Sequence, residues 1–172
     1  MGIIADRRSI MTLFSSPTCF YSHRARLVMA EKNINVDIVN PFLESMSNVL
    51  ATMAMLEPQA GQVAIKDEDI ACGEITGIIG LVGDNFKASL AVSFSRPVIL
   101  EITARMLGEE ITDIDDTVID LVGEITNMVT GGAKNQLDQK GYSIGLSTPM
   151  VVTGVNHKVT HKAKGPRIVV PF

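Results

Sequence analysis

Two cysteines and no tryptophan occur in this chain of 172 residues. Cys19 and Cys72 are too few for a disulfide framework or for a zinc site, and they suit a reducing, cytoplasmic location. Basic residues are not in excess, because 15 lysines and arginines are outnumbered by 19 aspartates and glutamates. The net charge of -4 therefore predicts neither nucleic acid nor a membrane surface as a partner.

Long hydrophobic runs are lacking as well. The longest apolar stretch, punctuated by glycines, extends from Ile75 to Gly83, far short of the ~20 residues that a membrane helix needs. The apolar stretch at 10–14 is too short for a signal sequence, and no small-residue cleavage site follows it. A composition of 46% hydrophobic and 20% charged residues indicates a globular protein with one main domain.

The stretch 117–134 has the clearest periodicity. Its apolar residues recur three and four positions apart, which is typical of a helix that buries one face. We expect that buried face to consist of Val118, Leu121, Val122, Ile125, Met128, Val129 and Ala133. The opposite face, here called the polar ridge, carries Asp120, Glu124, Asn127, Gly131 and Lys134.

Two features of the polar ridge argue for more than a solvated surface. Asn127 is a poor helix former in mid-helix, and Gly131 and Gly132 each cost about 1 kcal/mol relative to alanine. Adjacent glycines remove side-chain bulk, so another backbone, a ligand or a partner helix can approach closely. Tight packing within the chain against these glycines is the alternative, and periodicity does not separate the two.

The first 39 residues differ from the rest. We predict a strand at 9–14, a helix at 20–32 and a second strand at 35–39. This unit, SIMTLFSSPTCFYSHRARLVMAEKNINVDIV, resembles the opening of the thioredoxin-like domain in stringent starvation protein A and glutathione transferase relatives. We interpret it as a truncated βαβ thioredoxin-like segment. Cys19 begins a C-x-x-S pattern at a predicted helix start, so a thiol-dependent transferase is a weaker alternative function.

Residues 40–172 are predicted to form the main domain, with a boundary at Asn40-Pro41 because the residue before proline is driven extended. We predict helices at 42–55, 95–108 and 117–134, a hairpin of 72–82 and 86–94, and strands at 142–153, 158–163 and 168–172. This order indicates an α+β fold with a largely antiparallel sheet and long helices packed on one face. His157 and His161 would lie about 13 Å apart along a strand, too far for one ion, so no metal site is predicted.

The main domain resembles the CheX-type chemotaxis phosphatases, which are relatives of the CheC type. The resemblance rests on NPFLESMSNVLATM, GLVGDNFKASLAVSF, EITARMLGE, VGEITNMVTGGAKNQL and PRIVVPF. The family motif falls on Asp120, Glu124, Asn127 and Pro149. An internal repeat pairs Ser45–Leu50 with Glu124–Val129, but Ser45 lacks the carboxylate, so we expect a single active site.

This resemblance implies hydrolysis of the aspartyl phosphate on a phosphorylated CheY-type response regulator. Asn127 would orient the attacking water, because a carboxamide both donates and accepts hydrogen bonds, and Glu124 would pair with the regulator's lysine. The residues expected to contact the regulator are Asp120, Gly131, Gly132, Lys134 and Pro149. No cofactor of its own is expected, since the regulator supplies Mg²⁺. The family also implies a homodimer, and a non-catalytic regulator-binding module is the alternative.

Overall fold

The structure, a computed structural model, describes residues 10–11, 36–61, 64–65, 70–71, 73–83, 87–160 and 167–172. Within these residues the helices are α1 (Val36–Ala54), α2 (Arg96–Leu107) and α3 (Asp116–Gln139). The strands are β1 (Ile10–Met11), β2 (Ala64–Ile65), β3 (Ile75–Gly83), β4 (Lys87–Phe94), β5 (Ile144–Leu146), β6 (Met150–Thr153) and β7 (Ile168–Pro171).

The described strands form one antiparallel sheet in the order β2-β7-β1-β4-β3, and β5 and β6 both pair with the outer side of β3. The predicted hairpin is present as β3–β4, paired from Ile75 opposite Phe94 to Val82 opposite Lys87. The predicted α+β class with an antiparallel sheet is confirmed.

Alternation along β3 shows which sheet face carries the helices. Ile75, Ile79 and Leu81 are buried, and a side chain at Gly77, on the same face, would meet Thr126 of α3. Therefore α3 lies against this face, and α1 packs along α3. The core between sheet and helices includes Phe42, Met46, Leu50, Val92, Phe94, Ile99, Ile102, Ile125, Val129 and Leu137.

Helix α3 is longer than the predicted 117–134. It begins where the Asp115 carboxylate accepts a hydrogen bond from the backbone N–H of Val118 at 3.0 Å, which satisfies a donor at the helix start. It ends after Gln139, where the chain turns through Gly141 at φ +86°. Its fully buried residues keep the predicted three- and four-residue spacing.

Two predictions about the N-terminal segment are wrong. Residues 36–39, predicted as a strand, form the first turn of α1, and Asn40, predicted to be extended before Pro41, is helical as well. A proline in a helix interior costs roughly 3 kcal/mol, but burial of Val39, Phe42 and Met46 returns about 1.5–3 kcal/mol each. Tertiary packing therefore outweighs the local preference.

Strand β1 belongs to the N-terminal segment, which the sequence predicts to be a separate unit, but it lies within the sheet of the main domain. Ile10 and Met11 pair with β4 on one side and with β7 on the other. The chain before residue 39 therefore contributes a strand to the sheet, and the division into two domains at residue 39 stays a prediction. The rest of the predicted thioredoxin-like segment before α1, including the helix at 20–32 and Cys19, lies outside the described residues.

The predicted strand at 142–153 is divided into β5 and β6 by a bulge. The two strands pair with β3 in registers that differ by one residue, so residues 147–149 oppose only two residues of β3. Pro149 suits this position because it has no N–H to offer to a continuous ladder. Ser147 closes the bulge, since its Oγ accepts from the N–H of Gly80 at 2.8 Å.

The last predicted strands have different outcomes. The strand at 168–172 is present as β7. In the described part of 158–163, Lys158 forms an isolated bridge with Ile70, and residues 161–163 lie outside the described ranges. No helix in the described part of the chain is long and apolar enough to cross a membrane.

Candidate functional site

The polar ridge of α3 is exposed as predicted at Asp120, Glu124 and Asn127. None of these three side chains has a hydrogen-bond or ion-pair partner among the residues that the structure describes. Helical spacing places the Glu124 carboxylate and the Asn127 carboxamide one turn apart on the same face. Both groups are therefore available to a molecule that approaches α3 from solvent.

The two adjacent glycines of α3 have different surroundings. A Cβ at Gly132 would meet the Ser45 hydroxyl of α1 and would lie 3.2 Å from the Ser45 Cβ. For Gly132 this contact supports the alternative of tight packing within the chain, because the missing side chain lets α1 pack closely on α3. A Cβ at Gly131 would have nothing within 4 Å, so no packing of the described chain requires this glycine.

Ser45 also bears on the internal repeat. It is 4% exposed and faces Gly132, whereas its predicted counterpart Glu124 is exposed. Asn48, the counterpart of Asn127, is exposed on α1. On helix α1 the position three residues before the exposed asparagine is thus a buried serine, and the nearest exposed carboxylate, Glu44, lies four residues before it. The Glu-x-x-Asn spacing of α3 is not repeated there, which agrees with a single site on α3.

Lys134, at the far end of the polar ridge, forms an ion pair within α3. Its Nζ lies 2.6 Å from Asp138 Oδ2, and the two side chains are 34% and 42% exposed. Such an exposed i, i+4 pair contributes only a few tenths of a kcal/mol to stability. The Lys134 charge is thus compensated before any partner arrives.

Pro149 lies at about the level of Asn127 along the helix. A Cβ at Gly123 would be 3.7 Å from Val151 of β6. Helix α3 runs in the same direction as β3. Its first half packs over Gly77 in the first half of β3, and its end leads into β5, which pairs with the last residues of β3. Asn127 lies one helical turn beyond Gly123, about 6 Å further in that direction. Pro149 lies two strand residues from Val151, also about 6 Å further in that direction. The bulge therefore borders the polar ridge.

The loop that leads into α3 is held by an arginine. Arg96 Nη2 lies 2.7 Å from Asp113 Oδ1 and donates to the Thr112 carbonyl at 3.3 Å. The same Asp113 oxygen accepts from the backbone N–H of Ile114 at 2.7 Å. The hydrogen bond from Ile114, followed by the hydrogen bond and charge of Arg96, holds the pKa of Asp113 below its usual value.

Acidification is expected to weaken this loop. Because the folded-state pKa of Asp113 is lowered, its contribution is fully present above the unfolded value of about 3.9 and is lost as pH falls through the folded value. When the pH is lowered from 5 into the acid range, the free energy of unfolding should fall less in Asp113→Asn than in wild type. Urea titrations at several pH values measure it, with Glu109→Gln as the control. Equal pH dependence in wild type and Asp113→Asn would contradict the assignment.

His157 is tied into the fold by both nitrogens of its ring. The ring is half-buried, with Nδ1 2.7 Å from the Gly154 carbonyl oxygen and Nε2 2.7 Å from Thr76 Oγ1. Both ring nitrogens therefore serve to hold the turn after β6 against β3. His161 lies outside the described residues, within which no cluster of three His, Cys, Asp or Glu side chains could hold a metal ion.

The prediction that Met128 is buried is wrong. The apolar spacing assigns it to the buried face, but 37% of the residue is exposed, next to Asn127. The spacing signal is ambiguous there, because a residue three positions after Ile125 and four after Glu124 lies between the two faces. Its exposure could not be predicted without knowing how α1 packs.

Comparison with known proteins points to one family for most of the chain. Residues 75–172 match the family model described as chemotaxis phosphatase CheX. The CheY-P phosphatase CheX of Thermotoga maritima is 26% identical over 123 residues, which are 71% of this chain and 79% of that protein. A CheC-like superfamily protein from Shewanella sp. PV-4 is 46% identical, with a TM-score of 0.73, over 80% of this chain and 97% of that chain. A chain of the CheX-CheY-BeF3-Mg²⁺ complex from Borrelia burgdorferi is 25% identical, with a TM-score of 0.63, over 80% of this chain and 97% of that chain.

The resemblance of the N-terminal segment has weaker support. A stringent starvation protein A homologue from Coxiella burnetii is 38% identical over 80 residues, 46% of this chain. The chain spans only 37% of the length of that relative. A match to so small a part of a protein does not bring its activity to this chain.

Proposed function

The chain belongs to the CheX family of chemotaxis phosphatases, and from this premise we propose that it hydrolyses the aspartyl phosphate of a phosphorylated CheY-type response regulator through Glu124 and Asn127 of α3. The observation that carries the assignment is the pair itself. A carboxylate and a carboxamide stand one turn apart, exposed and without partners among the described residues, on the helix that packs against both the sheet and α1.

Asn127 would act on the attacking water. In-line attack forms a bond from the water oxygen to phosphorus while the bond from phosphorus to the aspartyl oxygen breaks, which releases phosphate and a carboxylate. The amide oxygen can accept a hydrogen bond from the water and so aim its lone pair at phosphorus. Orientation of this kind lowers the barrier without a general base, since most of the cost is positional.

Glu124 would hold the helix against the regulator. A carboxylate one turn before Asn127 can pair with a lysine beside the aspartyl phosphate, which fixes the distance between the amide and phosphorus. The burial of Val122, Ile125, Thr126 and Val129 supports this role, because these residues fix the rotation of α3 about its own axis. A rigid helix can hold two side chains within the narrow geometry that catalysis requires.

The surrounding residues supply the docking surface. Asp120 extends the polar ridge toward the start of the helix, and Lys134 with its partner Asp138 lies at the other end of the ridge. Between them, Gly131 has no side chain that would block an approaching partner. Pro149 in the bulge borders it on the β6 side. These assignments are part of the proposal, whereas Gly132 is excluded from it because it faces Ser45.

One structural relative supports the proposed partner and the proposed source of the ion. The Borrelia burgdorferi complex contains CheX, CheY, BeF3 and Mg²⁺ together. We extend this composition to the present chain: the regulator carries the Mg²⁺, and the phosphatase contributes no cofactor of its own. A cytoplasmic location fits such a partner and belongs to the same proposal.

A homodimer is also part of the proposal. Strand β6 pairs only with β3 among the described strands, so its other side lies at the edge of the sheet. Met150 on that strand is 65% exposed and Val82 on β3 is 54% exposed, both on the sheet face away from the helices. An apolar face at a sheet edge is a surface that a second copy can cover.

The test is the decay of a radiolabelled, phosphorylated CheY-type regulator in the presence of Mg²⁺. The regulator is measured alone, with the wild-type chain, and with the Glu124→Ala/Asn127→Ala double variant. Acceleration by wild type only supports both the activity and the site. Retained binding without acceleration by wild type would show a non-catalytic regulator-binding module, and equal acceleration by the double variant would place the site elsewhere.

A further inference from the structure

One large apolar side chain of α3 is exposed to solvent beside the polar ridge. The other large apolar residues of this helix are buried or pack against the core: Val118, Ile119, Leu121, Val122, Ile125, Val129 and Leu137. Met128 is the most exposed of the large apolar residues on this helix, with 37% of the residue accessible.

The position of Met128 relative to the site is specific. Glu124, Asn127, Met128 and Gly131 occupy positions i, i+3, i+4 and i+7, which share one continuous strip of helix surface. A helix that enters a groove of its partner uses this spacing for its contacts. At about 100° per residue, Met128 lies on the flank nearer to α1, while Pro149 borders the opposite flank. Glu124 and Asn127 therefore stand between two apolar groups.

We propose that Met128 is the apolar anchor by which α3 docks onto the phosphorylated regulator, a role that rests on the proposed function. A methionine side chain is unbranched and polarizable, so it can fill an irregular apolar recess. The regulator would offer an apolar recess or side chain beside its phosphorylated aspartate. Burial of Met128 there would hold the strip in register and exclude water from one flank of the site.

The test replaces Met128 with glutamine in the full-length chain. Glutamine keeps the length and helix propensity of methionine but loses the apolar contact. In the phosphatase assay, KM for the phosphorylated CheY-type regulator should rise about tenfold, while kcat changes less than about twofold. Met128→Leu should restore most of the affinity. The matched control is Met53→Gln on α1, since Met53 is 41% exposed and lies outside the strip.

Binding is measured separately from catalysis. Calorimetry with a CheY-type regulator treated with BeF3 and Mg²⁺ should show about tenfold weaker binding for Met128→Gln and unchanged binding for Met53→Gln. If wild type binds but does not accelerate decay, the proposed phosphatase function fails, and the binding comparison still decides the role of Met128. Unchanged KM and unchanged affinity in Met128→Gln, or a fall in kcat alone, would overturn the anchor. Absence of binding by wild type would overturn both proposals.

Discussion

Replacing Asn127 with alanine is expected to slow the dephosphorylation of bound regulator by about 10²-fold while the protein keeps its thermal stability. The side chain is exposed and has no described partner, so its removal leaves no cavity and no unsatisfied buried group. Alanine also has the higher helix propensity, so α3 should be slightly more stable. Single-turnover decay at saturating phosphatase measures the chemical step, and calorimetric unfolding measures stability.

The chain supplies a matched control in Asn48. This residue is exposed on α1 at the repeat position that corresponds to Asn127, next to the buried Ser45. Asn48→Ala makes the same chemical change on the same kind of surface and should leave the rate unaltered. Comparable losses in both variants would indicate two working sites and would contradict the single site proposed on α3. No loss in Asn127→Ala would remove this residue from the mechanism.

The site helix could be predicted from sequence because its information is local. Buried residues at three- and four-residue spacing define the inner face of α3, and the remaining positions then define the polar ridge. Asp120, Glu124 and Asn127 are exposed where this rule puts them. Met128 lies at the border between the faces, where spacing alone does not decide.

Other features depend on partners distant in sequence and could not be predicted. Strand β1 is placed between β4 and β7 by pairing across most of the chain, which no local pattern encodes. Pro41 gives a local signal for a helix boundary, yet the burial of its neighbours carries α1 through it. The bulge at 147–149 arises from a register difference of one residue, which is visible only once β3 is known to be the common partner.

Alanine substitutions at the two adjacent glycines of α3 are expected to change the free energy of unfolding in opposite directions. Gly132→Ala should destabilise the protein by about 1–2 kcal/mol, because the new methyl group meets Ser45 where α1 packs on α3. Gly131→Ala should stabilise it by up to about 1 kcal/mol, since the methyl group meets nothing and alanine favours the helix. Urea unfolding of both variants beside wild type measures the two free energies of unfolding.

The more stable variant, Gly131→Ala, should be the less active of the two. The methyl group of Gly131→Ala would stand on the strip proposed to contact the regulator, one turn beyond Asn127, so kcat/KM should fall about tenfold or more despite the gain in stability. The folded fraction of Gly132→Ala should stay nearly as active as wild type, because its methyl group faces α1. Ser45→Gly combined with Gly132→Ala should restore part of the lost stability, which separates a clash from a general helix effect. If Gly131→Ala were stabilised and fully active, the space at Gly131 would have no part in docking, and the approach of the regulator would have to be assigned to another face of α3.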